Sequence, residues 1–198
     1  MSEHELTLVL GGARAGKSAF AEQLAASYGR QVLYVATAEI KDDEMRARIA
    51  LHRAQRPADW QTLEVTHQVG ATLLARRPTA DAILIDCLTL LVSNILLSCV
   101  APDAPTQEGE EQANAALSAE LEVLLRAQAE LQRPMVVVSN EVGLGLIPPY
   151  PLGRLYRDLL GRANQRMAAA ADRVYLLVAG LPLTLKGQAG LTAAPSPR

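Results

Sequence analysis

Between an apolar run (Leu6, Leu8, Val9, Leu10) and a stretch of helical pattern (Ala19, Phe20, Ala21, Gln23, Leu24), the chain reads Gly11-Gly12-Ala13-Arg14-Ala15-Gly16-Lys17-Ser18. This is G-x-x-x-x-G-K-S in the setting of strand, glycine loop and helix, where the motif means phosphate binding. Glycines let the backbone curl so that successive N–H groups converge on one anion, and the helix N-terminus behind them adds its positive end. Lys17 is placed to neutralise β and γ phosphates, and the Ser18 hydroxyl to ligate Mg2+. Few other sequence features commit a chain so firmly to an α/β architecture, because the loop works only at the end of a strand that feeds a helix.

The remaining chain supports that architecture. Apolar runs at 6–10, 32–36, 82–86, 135–139 and 174–178 are continuous rather than alternating, as expected of parallel strands covered on both faces. Helical patterns over 17–28, 42–55, about 66–76, about 110–132 and 153–171 separate them. The order predicts a three-layer α/β P-loop NTPase-like (RecA-like) domain spanning 1–186, mostly parallel, with right-handed crossovers. Thr184-Leu185-Lys186 reads as a short extra edge strand. Residues 101–109 read as a mobile loop, and the Gly-, Ala- and Pro-rich tail from Gly187 as disordered.

Composition narrows the function classes. With 198 residues and 49% hydrophobic content the chain can bury a real core. Its formal net charge of −2 argues against a general nucleic-acid binder. Lysine occurs only at Lys17, Lys41 and Lys186, so one of very few lysines falls in the phosphate loop. Cys87 and Cys99 have no metal-ligand spacing, which suits reduced thiols. The N-terminal Met-Ser-Glu-His-Glu lacks a signal-peptide pattern, and no apolar stretch reaches membrane-spanning length. A cytoplasmic location is the default expectation.

A second nucleotide-site element is Ile83-Leu84-Ile85-Asp86, an apolar strand ending in a carboxylate. At the carboxyl edge of a nucleotide-binding sheet such a residue can hold Mg2+ directly or through water. Strands also end in Asp at ordinary turns; the upstream loop is what favours the metal role. The N-K-x-D signature of switch GTPases is absent. Asn140-Glu141-Val142-Gly143 follows the 135–139 run directly, which puts it on the ligand side or makes it a capped turn. Within the 42–55 helical pattern, Arg48 and His52 share a face, with Arg53 and Arg56 close behind. Clustered guanidiniums would recruit a polyphosphate and leave His52 neutral and nucleophilic. His52 could equally be a packed or solvated helix-end side chain, and the pattern alone leaves both readings open. His4 and His67 have no local constellation.

Taken together, Gly11 to Ser18, Val35-Ala36-Thr37-Ala38, Asp42-Asp43-Glu44-Met45 through His52, Arg56-Pro57, Trp60, Asp86-Cys87-Leu88-Thr89, Ser139 to Gly143 and Arg157 to Arg166 with Ala168 to Asp172 resemble one family. It is the bifunctional adenosylcobinamide kinase / adenosylcobinamide-phosphate guanylyltransferase family of cobalamin biosynthesis, and the match runs over about 6–186. The resemblance implies that ATP or GTP phosphorylates the aminopropanol hydroxyl of adenosylcobinamide. GTP then gives GMP to that phosphate through a covalent histidine-GMP intermediate, releasing pyrophosphate. By position the nucleophile is His52, and further GTP contacts fall on Ala36, Thr37, Ala38, Arg53, Ala54, Gln55, Arg56, Glu64 and Asp86. A homotrimer and a sheet with one antiparallel edge are also implied. Leu51 stands where some members carry a second histidine, and Asp86 where others carry Glu. The other functions weighed are a stand-alone P-loop kinase or RecA-like ATPase without covalent transfer, and a nucleotide-binding regulatory subunit.

Overall fold

The computed structural model describes residues 4–39, 57, 59–103 and 105–187. Its strands are β1 (Leu6–Gly11), β2 (Val32–Ala36), β3 (Gln61–Glu64), β4 (Ala82–Asp86), β5 (Met135–Val138), β6 (Arg173–Val178) and β7 (Leu181–Lys186). The helices are α1 (Lys17–Ala26), α2 (Val69–Arg76), α3 (Leu88–Cys99), α4 (Gln107–Leu131) and α5 (Pro151–Ala170). One sheet runs in the order β3-β2-β4-β5-β1-β6-β7. Every neighbouring pair is parallel except β6 and β7, the antiparallel edge. The mostly parallel α/β sheet with an antiparallel edge expected from the sequence is therefore what the chain forms.

Side chains of each inner strand alternate between two buried layers. On one face Val9, Tyr34, Leu84, Val136 and Tyr175 pack with Phe20, Ala21 and Leu24 of α1. On the other, Leu8, Val35, Ile83, Ile85 and Val137 meet Leu73 of α2, Leu91 and Ile95 of α3, Leu121 and Leu124 of α4 and Leu159 of α5. Both faces being dry explains why the strands read as unbroken apolar runs.

Four elements differ from expectation. α3 has no counterpart in the sequence pattern, since Leu88-Thr89-Leu90-Leu91-Val92-Ser93-Asn94-Ile95-Leu96-Leu97 is apolar on nearly all sides and shows no amphipathic period. It lies against both α4 and α5, so a buried helix is the physical outcome. β3 is equally unheralded: it is a short edge strand in which only Leu63 is buried. α4 begins at Gln107, inside the stretch read as a loop, because the Thr106 hydroxyl accepts from the Gly109 N–H at 3.1 Å. That cap contributes about 1 kcal/mol, and Glu108 and Glu110 suit the positive end of the helix. β7 starts three residues earlier than the Thr184 edge piece, at Leu181. The 42–55 helical pattern and the tail beyond Gly187 lie outside the described residues.

At the amino edge of the sheet an ion pair locks the central strands. Glu5 accepts from Arg173 Nε at 2.9 Å, from Tyr28 Oη at 3.1 Å and from Thr7 Oγ1 at 3.2 Å. Asp172 Oδ2 accepts from the Leu6 N–H at 2.8 Å, fixing β6 against β1. Glu5 is only 3% exposed, so removing its carboxylate strands a guanidinium beside the core. Glu5→Ala is expected to lower unfolding free energy by about 3 kcal/mol in denaturant titration; a change below about 1 kcal/mol would show that water solvates Arg173 instead.

Candidate active site

The carboxyl ends of the strands share one edge. Register pairs Ala36 with both Glu64 and Asp86, Asp86 with Val138, and Gly11 with Leu177. Crossing the sheet, the edge therefore presents Glu64 (β3), Ala36 (β2), Asp86 (β4), the end of β5, and then the Gly11–Ser18 loop leaving β1. Ligands of parallel α/β sheets bind at this edge.

Gly11, Gly12, Ala13, Arg14, Ala15 and Gly16 form the turn between β1 and α1, and Lys17 and Ser18 open the helix. Gly16 takes φ 92°, a left-handed geometry at the N-cap, and a Cβ there would lie 3.2 Å from Gly180 Cα. A Cβ on Gly11 would sit 2.7 Å from the Leu177 carbonyl oxygen. The loop is tethered on two sides: the Gly180 N–H donates to Ala15 O at 3.0 Å, and the Glu141 N–H donates to Gly11 O at 3.0 Å.

Lys17 is 9% exposed and its Nζ donates to the Gly12 carbonyl at 2.7 Å, which folds the ammonium over the loop. Burial pulls its pKa below the ordinary lysine range; the negative charges that Cys87 and Asp86 can carry work in the opposite direction. The phosphate-loop lysine and the strand-terminal carboxylate both stand at this carboxyl edge. Asp86 Oδ2 accepts from Tyr34 Oη at 2.8 Å, which orients the carboxylate. Burial, with help from Asp86, pushes the Cys87 thiol up to about 11, so it is a protonated packing group at neutral pH.

The loops beyond β2, β3 and β4 are tied together by two polar side chains. Thr37 Oγ1 donates to Cys87 O at 2.7 Å and accepts from the Cys87 N–H at 2.8 Å. Asn94, 6% exposed on α3, donates to Thr37 O at 2.9 Å and to Thr66 O at 3.1 Å. Ala38, Glu39, Glu64, Val65, Thr66, His67 and Gln68 line an open depression of about 720 Å³ beside this junction. On the other side of Asp86, Thr89 Oγ1 accepts from the Asn140 N–H at 2.7 Å.

Gly11 to Ser18, Ala36, Thr37, Ala38, Glu64 and Asp86 thus gather along one edge. His52, Arg53, Ala54, Gln55 and Arg56 lie outside the described residues. Sequence reading missed Tyr34 and Asn94. Asn94 had a usable signal, a primary amide in the middle of an aliphatic run, which must satisfy its hydrogen bonds inside the fold. Among the described residues no three His, Cys, Asp or Glu side chains converge as a metal site, and no helix is long and apolar enough to cross a membrane.

A parallel sheet whose strand enters a glycine loop, with a buried lysine and a strand-terminal aspartate facing the same edge, defines a phosphate-loop nucleotide-binding protein. The sequence profile described as cobinamide kinase / cobinamide phosphate guanyltransferase matches residues 7–185. The chain belongs to this family. It is 45% identical over 181 residues to the bifunctional adenosylcobalamin biosynthesis protein CobP of Pseudomonas aeruginosa, covering 91% of this chain and 97% of that one. Against the bifunctional adenosylcobalamin biosynthesis protein CobU of Salmonella typhimurium the identity is 42%, covering 91% and 99%. Among solved structures a more remote similarity is to the RadB recombinase, which aligns with 88% of this chain and 74% of its own at TM-score 0.48 and 18% identity.

Because Asn94 satisfies two carbonyls and joins the loops after β2 and β3, Asn94→Ala is expected to cost about 2 kcal/mol of stability. It should also raise the KM for nucleotide more than it lowers kcat. An unchanged nucleotide KM in steady-state kinetics would separate this amide from the site.

Proposed function

We propose that this chain catalyses both activities of its family on a corrinoid substrate, using one phosphate loop for two successive nucleotide reactions. The observation that carries the proposal is that buried Lys17, at the start of α1, and Asp86, at the end of β4, stand at the same edge of one sheet, in a chain whose 7–185 segment belongs to the cobinamide kinase / cobinamide phosphate guanyltransferase family. In the first step the aminopropanol hydroxyl of adenosylcobinamide attacks the γ-phosphorus of ATP or GTP. The bond from that phosphorus to the β,γ-bridging oxygen breaks and the hydroxyl proton is released to solvent, leaving nucleoside diphosphate and adenosylcobinamide phosphate. In the second, an imidazole nitrogen of His52 attacks the α-phosphorus of GTP and pyrophosphate departs. A phosphate oxygen of the corrinoid then attacks that phosphorus and the P–N bond breaks, freeing His52 and forming adenosylcobinamide-GDP. Splitting the transfer into two displacements keeps GMP activated while pyrophosphate leaves.

Charge neutralisation is the main demand of both steps. Lys17 exchanges its Gly12 carbonyl for β- and γ-phosphate oxygens, and the loop N–H groups bind the same anion. The Ser18 hydroxyl and the Asp86 carboxylate suit Mg2+, which takes hard oxygen donors and one or two protein ligands beside phosphates. Tyr34 holds one Asp86 oxygen and turns the carboxylate as a unit. When bound, the ion offsets charge on the phosphates. Ala36, Thr37, Ala38 and Glu64 with Arg53, Ala54, Gln55 and Arg56 complete the GTP contacts in this reading. A cytoplasmic homotrimer is the assembly it carries, with a sedimentation mass three times that of the chain as its signature.

Incubation with α-labelled GTP is expected to leave acid-labile label on His52, and His52→Ala to abolish it; equal labelling of the variant would refute the covalent mechanism. Lys17→Ala should slow kinase and transferase turnover alike by about a hundredfold or more. Intact kinase activity in that variant would require two separate nucleotide sites.

A further inference from the structure

The connection from β5 to α5, residues 139–150, leaves the same sheet edge as the phosphate loop, and its two ends are firmly built. The Ser139 N–H donates to Val9 O at 2.9 Å and the Glu141 N–H to Gly11 O at 3.0 Å, so the segment starts in contact with the loop's first residue. Ser139 Oγ donates to Asn164 Oδ1 at 2.6 Å, and Asn164 Nδ2 donates to Asn140 O at 3.0 Å, which pins the root to α5. Farther along, Arg157 donates to Gly143 O at 3.2 Å, and Arg154 to Pro148 O at 3.1 Å and Pro149 O at 2.8 Å. Between these anchors the side chains face water: Leu144 is 84% exposed, Leu146 96% and Ile147 69%, with Tyr150 at 60%.

A turn that is merely solvent-exposed is normally polar, and three large aliphatic side chains in four residues are costly to hold in water. Here hydrogen bonds from Arg157 and Arg154 hold the carbonyls of Gly143, Pro148 and Pro149 on either side of the aliphatic residues. Its root lies one hydrogen bond from Gly11, the first residue of the phosphate loop.

Resting on the kinase–transferase reading above, we infer that Leu144, Leu146 and Ile147 form the acceptor-recognition surface, packing against an apolar face of the corrin macrocycle. The macrocycle is broad and apolar across its faces with amides around its rim. The apolar tip, flanked by carbonyls already held by Arg154 and Arg157, matches the face. Anchoring the ring here leaves its aminopropanol arm to reach the phosphates at Lys17. The same surface serves both steps, since the corrin is common to adenosylcobinamide and its phosphate.

The test is the double variant Leu144→Ser/Leu146→Ser in the full-length chain, with both substitutions at exposed positions. The expected result is a rise of roughly tenfold or more in KM for adenosylcobinamide and for its phosphate. KM for GTP, covalent GMP labelling without corrinoid, and sedimentation mass should stay at wild-type values. Corrinoid KM values within twofold of wild type would overturn the assignment. So would a fall in sedimentation mass, which would give the surface to a second copy of the chain. If the unaltered protein takes GMP label but turns over no corrinoid, the parent reading fails and the acceptor surface fails with it.

Discussion

The position of β1 between β5 and β6 is the constraint on which the site depends. Parallel pairing to both neighbours carries β1 up to Gly11 with its carbonyl and amide groups already committed. At that last residue a side chain would collide with the Leu177 carbonyl oxygen, so the strand hands over to the loop at a glycine. The loop is consequently held by other strands' backbones, through Glu141 on one side and Gly180 on the other, rather than by its own internal bonds alone. An anion-binding loop needs this rigidity, because its N–H groups repel one another until a phosphate arrives.

The same packing sets the chemistry of Lys17. Burial against the strand ends weakens its charged form, and Asp86 restores part of it. A lysine held in this balance gains more from a polyphosphate than a solvated one would, since the anion replaces water that the site already excludes. Tyr34 and Thr37 perform the matching task on the carboxylate side, where Asp86 and Cys87 are fixed by hydrogen bonds from β2 and the turn that follows it.

What could be read from the sequence follows from how local each signal is. The phosphate loop, the inner strands and the carboxylate at Asp86 are short contiguous patterns, and each appears where it was expected. α3 was invisible because its sequence is apolar on nearly all sides and lacks the polar face that makes periodicity detectable. β3 was invisible because an edge strand with one buried residue has no apolar run. Asn94 shows a third cause: its role is to bridge Thr37 and Thr66, and those carbonyls become neighbours only when β2 and β3 pair. Ala36 and Glu64 likewise share an edge through strand register, which spacing along the chain does not reveal.

Along the carboxyl edge the chemical character changes strand by strand. Glu64 and Asp86 give the β3–β2–β4 side an acidic, hydrogen-bonding character. The loop after β1 is cationic through Lys17. The segment after β5, inserted between β4 and β1 in the sheet, ends in exposed aliphatic side chains. Under the proposed reactions this order has a physical logic. A nucleotide needs polar groups for its sugar and base and cationic groups for its phosphates, whereas a corrin needs apolar area. Because β5 is the neighbour of both β4 and β1, its loop can present apolar surface to an acceptor without displacing either the carboxylate or the phosphate loop. Strand order therefore separates donor and acceptor recognition while keeping both within reach of the same phosphates.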